Sequence, residues 1–135
     1  MTRRLLTCAT AVVLLSGCAM SPQGLERPEF ASVFLVDQPY QLTLKNIVES
    51  EQSCRRAPLV PLGGAIDDVH HYPDLREAKI VYGAEGFGRQ IYQVTHINEV
   101  DGGSQVTVYA RSALDKRTNL MRRWAVNDRS ICHPH

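Results

Sequence analysis

What this chain has little of bounds its function first. It has almost no net charge, with 15 Lys and Arg against 14 Asp and Glu. Its adjacent arginines, Arg55-Arg56 and Arg122-Arg123, are pairs and not runs. Nucleic-acid binding draws on clustered cations that neutralise many phosphates, so no nucleic-acid partner is expected. Beyond Cys18 no stretch approaches the roughly 20 apolar residues that cross a bilayer. There is no Gly-x-Ser-x-Gly and no pair of histidines at helical spacing. A nucleophile elbow and a helical zinc site are therefore without their sequence signatures. Only one tryptophan is present, and Trp124 with Tyr40, Tyr82, Tyr92 and Tyr109 reads as core in preference to a binding groove.

The residues that could carry chemistry are few. His70 and His71 are adjacent, and neighbouring side chains on extended backbone diverge, so one metal does not readily take both. His96 falls on an expected strand, while His133 and His135 flank Pro134 at the C terminus, where they could pick up copper or zinc weakly. No metal and no cofactor is expected. Gly83, Gly86 and Gly88 have the look of a phosphate loop, but such a loop must lead into a helix N-terminus. Here Arg89–Val100 reads as strand, so the glycines are assigned to a turn. Asp67, Asp68 and Asp74 lie near His70 and His71, which makes an acid–base arrangement conceivable. A solvated polar loop accounts for the same residues, and no catalytic residue is assigned.

What is there begins at the N terminus. Arg3 and Arg4 precede Leu5–Leu15, a mostly apolar run of about eleven residues, the length of a secretory core. The run ends in Leu15-Ser16-Gly17-Cys18: an aliphatic residue, two small residues and a cysteine. This resembles the lipobox of bacterial lipoprotein precursors. The resemblance implies that residues 1–17 are a signal peptide and that the Cys18 thiol takes a diacylglycerol before the cut. It also implies that the new amino terminus is then acylated. One myristoyl chain binds a membrane only marginally, at about 0.8 kcal/mol per buried CH₂, so three chains make release negligible. Cys8 is discarded with the signal. In such lipoproteins the residue after the cysteine steers sorting, and Ala19 in place of an aspartate implies the outer membrane, with the body facing the periplasm. More loosely, the order of elements with Cys54, Trp124 and Cys132 is similar to small proteobacterial lipoproteins, which bring no catalytic motif to carry over.

Without Arg3 and Arg4 the mature chain has 13 basic side chains against 14 acidic ones. Its two remaining cysteines, Cys54 and Cys132, meet an oxidising compartment. A disulfide between them is expected, closing a loop of roughly 79 residues and stabilising the fold by about 4–5 kcal/mol. Two reduced thiols or an intermolecular bridge are the alternatives.

The chain then divides into a lipidated tether, residues 18–28, and a single domain, residues 29–135. Ala19–Pro28 lacks periodicity and could span roughly 35 Å when extended. Glu29–Val36 is apolar on both faces and reads as a buried, central strand. A helix from about Pro39 to Ser53 follows Asp37, with Tyr40, Leu44, Ile47 and Val48 on one stripe. Cys54 falls at its end. Arg55–Pro73 is broken by Pro58, Pro61, Gly63 and Gly64 and reads as a long loop, with at most a short strand or turn at Ala65–Val69. Arg76–Tyr82, Gly88–Val100 and Ser104–Arg111 read as three strands of a meander, the last two joined through Asp101-Gly102-Gly103. In the second of them Tyr92, Val94 and His96 are expected on one side and Ile91, Thr95 and Ile97 on the other. Asp115–Val126 is a closing helix capped by Asp115 or Thr118. The expected fold is α+β, an antiparallel sheet of order β-α-β-β-β-α with two helices on one face and one disulfide.

The expected role is that of a membrane-anchored envelope lipoprotein, held through covalent lipid at Cys18. It acts as a non-catalytic accessory or protein-binding module, meeting an envelope protein through Arg55–Pro73 or an exposed sheet surface. The alternative is a periplasmic inhibitor that inserts a rigid loop into a hydrolase such as a lysozyme or protease.

Overall fold

Alternating apolar residues from Ile66 to Tyr109 fold as a meander, and the first apolar run of the domain joins it along the last strand. The computed structural model describes residues 21–54, 64–86 and 88–134. Its strands are β1 Ala31–Val36, β2 Gly64–Tyr72, β3 Glu77–Gly86, β4 Gly88–Val100 and β5 Gly103–Tyr109. They form one sheet of order β1-β5-β4-β3-β2 with every neighbouring pair antiparallel. The helices are α1 Pro22–Leu25, α2 Tyr40–Cys54 and α3 Leu114–Ala125, with short 3-10 turns at Pro28–Phe30 and Pro73–Leu75. The expected α+β class, the antiparallel sheet and the Cys54–Cys132 disulfide are all observed.

Strand register sorts the side chains onto two faces. Phe34 and Val36 of β1, Val106 and Val108 of β5, Ile97 of β4, and Ala78 and Ile80 of β3 share one face. The helices α2 and α3 lie on that face and complete the core with Tyr40, Ile47, Leu120, Met121 and Trp124. Buried polar groups fix how the layers meet. Thr43 Oγ1 and Ser104 Oγ share a hydrogen bond of 2.8 Å, and Gln38 Nε2 donates to Thr43 Oγ1 at 2.9 Å. The Ala125 carbonyl accepts from both Gln38 Nε2 and Asn46 Nδ2, which ties α2 to the last turn of α3.

The end of α3 then directs the tail. Asn127 takes the left-handed conformation (φ 62°). Its N–H donates to Trp124 O, and that of Asp128 to Arg123 O, the paired bonds that close a helix and turn the chain away. Trp124 Nε1 donates to Ile131 O at 3.0 Å, so the tail lies back along α3. Cys132 is thereby brought to the last residue of α2, with 5.1 Å between the Cα atoms of Cys54 and Cys132. At the β4–β5 turn Gly102 has φ +79°, and a Cβ on Gly103 would meet the Val36 carbonyl oxygen at 2.2 Å. The glycines let β1 end tightly against the hairpin.

Several expectations are corrected. The segment Arg55–Pro73 contains a full strand, β2, paired with β3 along its length; residues 55–63 of it lie outside the described residues. The expected turn Gly83–Gly88 is shorter, because β3 runs on to Gly86. A bulge at Tyr82/Gly83 opposite Gln93, Tyr92 and Ile91 rephases β4, so Ile91 joins Val94 on the face away from the long helices. The first residue before α3 is Ala113, in the left-handed conformation with no side-chain cap; Thr118 Oγ1 instead bonds the Leu114 carbonyl. The tether, expected as far as Pro28, is structured from Ser21 onward. Ser21 Oγ accepts from Gly24 N–H to start α1. Leu25, 1% exposed, inserts among Ile66, Val81, Ile91 and Val94 on the second face. Glu26 pairs there with Lys79, and its carboxylate lies 3.5 Å from His96 Nε2.

The largest correction concerns β1, which is an edge strand and not a central one. Both of its faces are apolar, but among the described residues only the face of Phe34 and Val36 is covered.

Candidate functional site: the open edge of β1

Ala31–Val36 reads ASVFLV, six residues with no charge, no proline and no glycine. Its β-branched and aromatic content makes it a strand, and Phe34 and Val36 hold it to the core. The Ala110 N–H donates to Phe30 O. In an antiparallel ladder the hydrogen-bonding direction alternates, so residues 32, 34 and 36 turn their N–H and C=O toward β5. Ala31, Val33 and Leu35 turn theirs outward. On the face away from α2 and α3, Val33 is 54% exposed and Leu35 71%. The edge thus offers backbone donors and acceptors beside two exposed aliphatic side chains.

Folded proteins usually blunt such an edge with charge, proline or a bulge, since an open apolar strand templates pairing with another chain. The opposite edge follows that rule. β2 carries Asp67, Asp68, His70 and His71, and Asp68 holds Arg89 at 2.6 Å. The contrast between the two edges singles out β1.

A second feature is a cavity of about 270 Å³ between α2, α3 and the sheet. Ile47, Ile80, Leu120, Met121 and Trp124 line it, the Cys54–Cys132 disulfide forms one wall, and His133 and Pro134 stand at its lip. Its polar floor is closed by Gln93 Nε2 donating to Thr95 Oγ1 at 2.9 Å, while Glu51 and Arg117 also reach it. Such a space suits a small apolar group.

The acidic and histidine candidates are dispersed by strand register. Asp67 and His71 are on the helix side of β2, Asp68 and His70 on the other, and Asp74 is in the following 3-10 turn. Asp67 and His71, four apart on the strand, are about 13 Å from one another, while Asp68 and His70, two apart on the other face, turn to different partners, Asp68 to Arg89 and His70 to Tyr72. His71 Nε2 lies 3.2 Å from Tyr40 Oη, and the His70 ring is parallel to that of Tyr72. His96 meets Tyr109 edge-on. Among the described residues no three of His, Cys, Asp and Glu converge on a metal-sized space. Gly83, Gly86 and Gly88 are strand and turn residues. Tyr40 and Trp124 are core, whereas Tyr82 and Tyr92 are exposed. Cys18 and His135 lie outside the described residues, and no described helix is long and apolar enough to cross a membrane.

Val33 and Leu35 were missed as site residues because alternation reports how apolar a strand is, not how many neighbours it has. No protein-family model, curated protein or solved structure matches the chain.

Proposed function

We propose that this protein is a lipid-anchored, non-catalytic module of a bacterial envelope that docks on a protein partner through the outer edge of β1. The anchor is read from Leu15-Ser16-Gly17-Cys18, with acylation at Cys18 and an outer-membrane position facing the periplasm. The observation that carries the docking role is the uncharged β1 edge, unpaired among the described residues, with Val33 and Leu35 exposed beside it. Strand addition uses main-chain hydrogen bonds for affinity and alternate side chains for selectivity, and β1 supplies both.

The test places a photoreactive residue at Leu35 of the full-length chain in a bacterial envelope, with Leu75 as an equally exposed control. A single stoichiometric protein adduct is expected from position 35, lost on Val33→Lys and absent from position 75. Equal yields from the two positions, or insensitivity to Val33→Lys, would remove β1 as the docking edge. In parallel, Cys18→Ser is expected to accumulate as unprocessed precursor without added lipid mass; a processed, acylated product would remove the anchor.

A further inference from the structure

The cavity between α2, α3 and the sheet has apolar walls and a floor of neutral polar groups. On α3, Arg117, Leu120, Met121 and Trp124 recur at helical spacing and all line it. From the sheet, Ile80, Gln93 and Thr95 line it on the helix side. None of its described lining residues belongs to β1, so the site is separate from the docking edge. Gln93 is 6% exposed and Thr95 1%. The Gln93 Nε2 group donates to Thr95 Oγ1 at 2.9 Å, and among the described residues Gln93 Oε1 has no hydrogen-bond partner. Buried amide oxygens are ordinarily satisfied, so an open acceptor in a cavity wall marks a place for a donor.

We infer that this cavity binds a small, neutral aromatic molecule carrying one O–H or N–H group, which donates to Gln93 Oε1. Size, wall and charge each set part of that chemistry. An apolar void of about 150 Å³ holds one benzene ring, so a cavity of about 270 Å³ takes a ring system of about ten to twelve non-hydrogen atoms. The thioether of Met121 and the indole of Trp124, both buried in the wall, attract an aromatic ring beyond its area alone. A mostly apolar lining with few polar groups fixes the orientation of such a ligand.

Charge excludes the ionic alternatives. Glu51 and Arg117 line the same cavity with opposite formal charges, so an anion meets the first and a cation the second. At the floor, Gln93 and Thr95 are neutral dipoles, and a full charge seated there would be desolvated without a counter-ion.

The experiment titrates the full chain with 2-naphthol, 2-methoxynaphthalene and 2-naphthoate, which share one ring system and differ in the donor and the charge. It follows the Trp124 indole N–H, the Gln93 side-chain amide and the Ile47 and Ile80 methyl groups by NMR. Saturable shifts of these groups are expected with 2-naphthol at about 0.1 mM. The methoxy compound, which has no donor, and the naphthoate are each expected to bind about tenfold more weakly. Gln93→Leu should abolish the preference for 2-naphthol over the methoxy compound while leaving the latter bound, which shows that the cavity is intact. If that variant does not fold, the ranking of the three compounds on the parent chain decides alone. Equal binding of naphthol and methoxynaphthalene would overturn the role of Gln93 Oε1, and tighter binding of naphthoate would overturn the neutral ligand. No saturable shift with any of the three, or shifts confined to Val33 and Leu35, would overturn the site while leaving the β1 docking edge untouched.

Discussion

Leu25→Ala separates a packed N-terminal segment from a loose spacer. The Leu25 side chain is 1% exposed and contacts the cluster of Ile66, Val81, Ile91 and Val94. Truncating a buried leucine removes its transfer energy and leaves a cavity, together about 2–5 kcal/mol. In a four-residue helix that loss has a local ceiling, because α1 can release before the sheet unfolds. Without Leu25 the remaining attachments are chiefly the Glu26 contacts to Lys79 and His96. Partly exposed ion pairs contribute about 1 kcal/mol or less, below the about 1–2 kcal/mol per residue needed to order the backbone. The variant is therefore expected to lose roughly 2–4 kcal/mol in urea unfolding. The Gly24 and Glu26 amides, which bond Ser21 O and Pro22 O, should also lose hydrogen-exchange protection. Leu35→Ala, at an exposed position, should stay within about 0.5 kcal/mol of the parent. An unchanged urea midpoint together with unchanged exchange at Gly24 and Glu26 in Leu25→Ala would refute the docking of α1.

Two further outcomes test other parts of the fold. Cys54→Ser/Cys132→Ser releases a cross-link spanning 78 residues, and calorimetry should show a loss of about 4–5 kcal/mol, or roughly 15–20 °C in melting temperature for a domain of this size; a shift under about 3 °C would contradict it. The Asp128 carboxylate accepts from the Ser130 hydroxyl and N–H and lies 3.0 Å from Arg123, which holds its pKa below the ordinary aspartate range, the Ser130 hydroxyl being the largest cause. The stabilisation is then present above the unfolded value and lost as pH falls through the lower folded one. A carbon-detected NMR titration of Asp128 should show the low midpoint, and Ser130→Ala should raise it; no rise would dismiss the Ser130 bonds as the cause.

Helical stripes and turn chemistry made much of this fold legible. The α2 stripe and its Cys54 terminus, the Asp101-Gly102 turn and the α3 stripe around Trp124 were each readable, because each is a local pattern with a local cause. What escaped was non-local. β1 was assigned to the middle of the sheet since its both-sided apolarity is common to buried strands and to edges built for contact; only the strand order distinguishes them. β2 was hidden by Asp67, Asp68, His70 and His71, which look like loop until paired with β3. The one-residue bulge at Tyr92 switched Ile91 to the other face, and the burial of Leu25 depends on the cluster that the switch creates. The stacking of Arg122 on Phe34 likewise arises only when α3 crosses β1.

The docking of α1 also sets how the body would stand at a membrane. From residue 18 to residue 21 even a fully stretched chain covers only about 10 Å, far less than a spacer reaching Pro28. Acyl chains on Cys18 would therefore turn the Leu25 side of the sheet toward the lipid headgroups and point the long helices into the aqueous space. The β1 rim would then run along the flank, reachable sideways by a neighbour in the same leaflet. The orientation would then follow from one leucine seated under a single short turn.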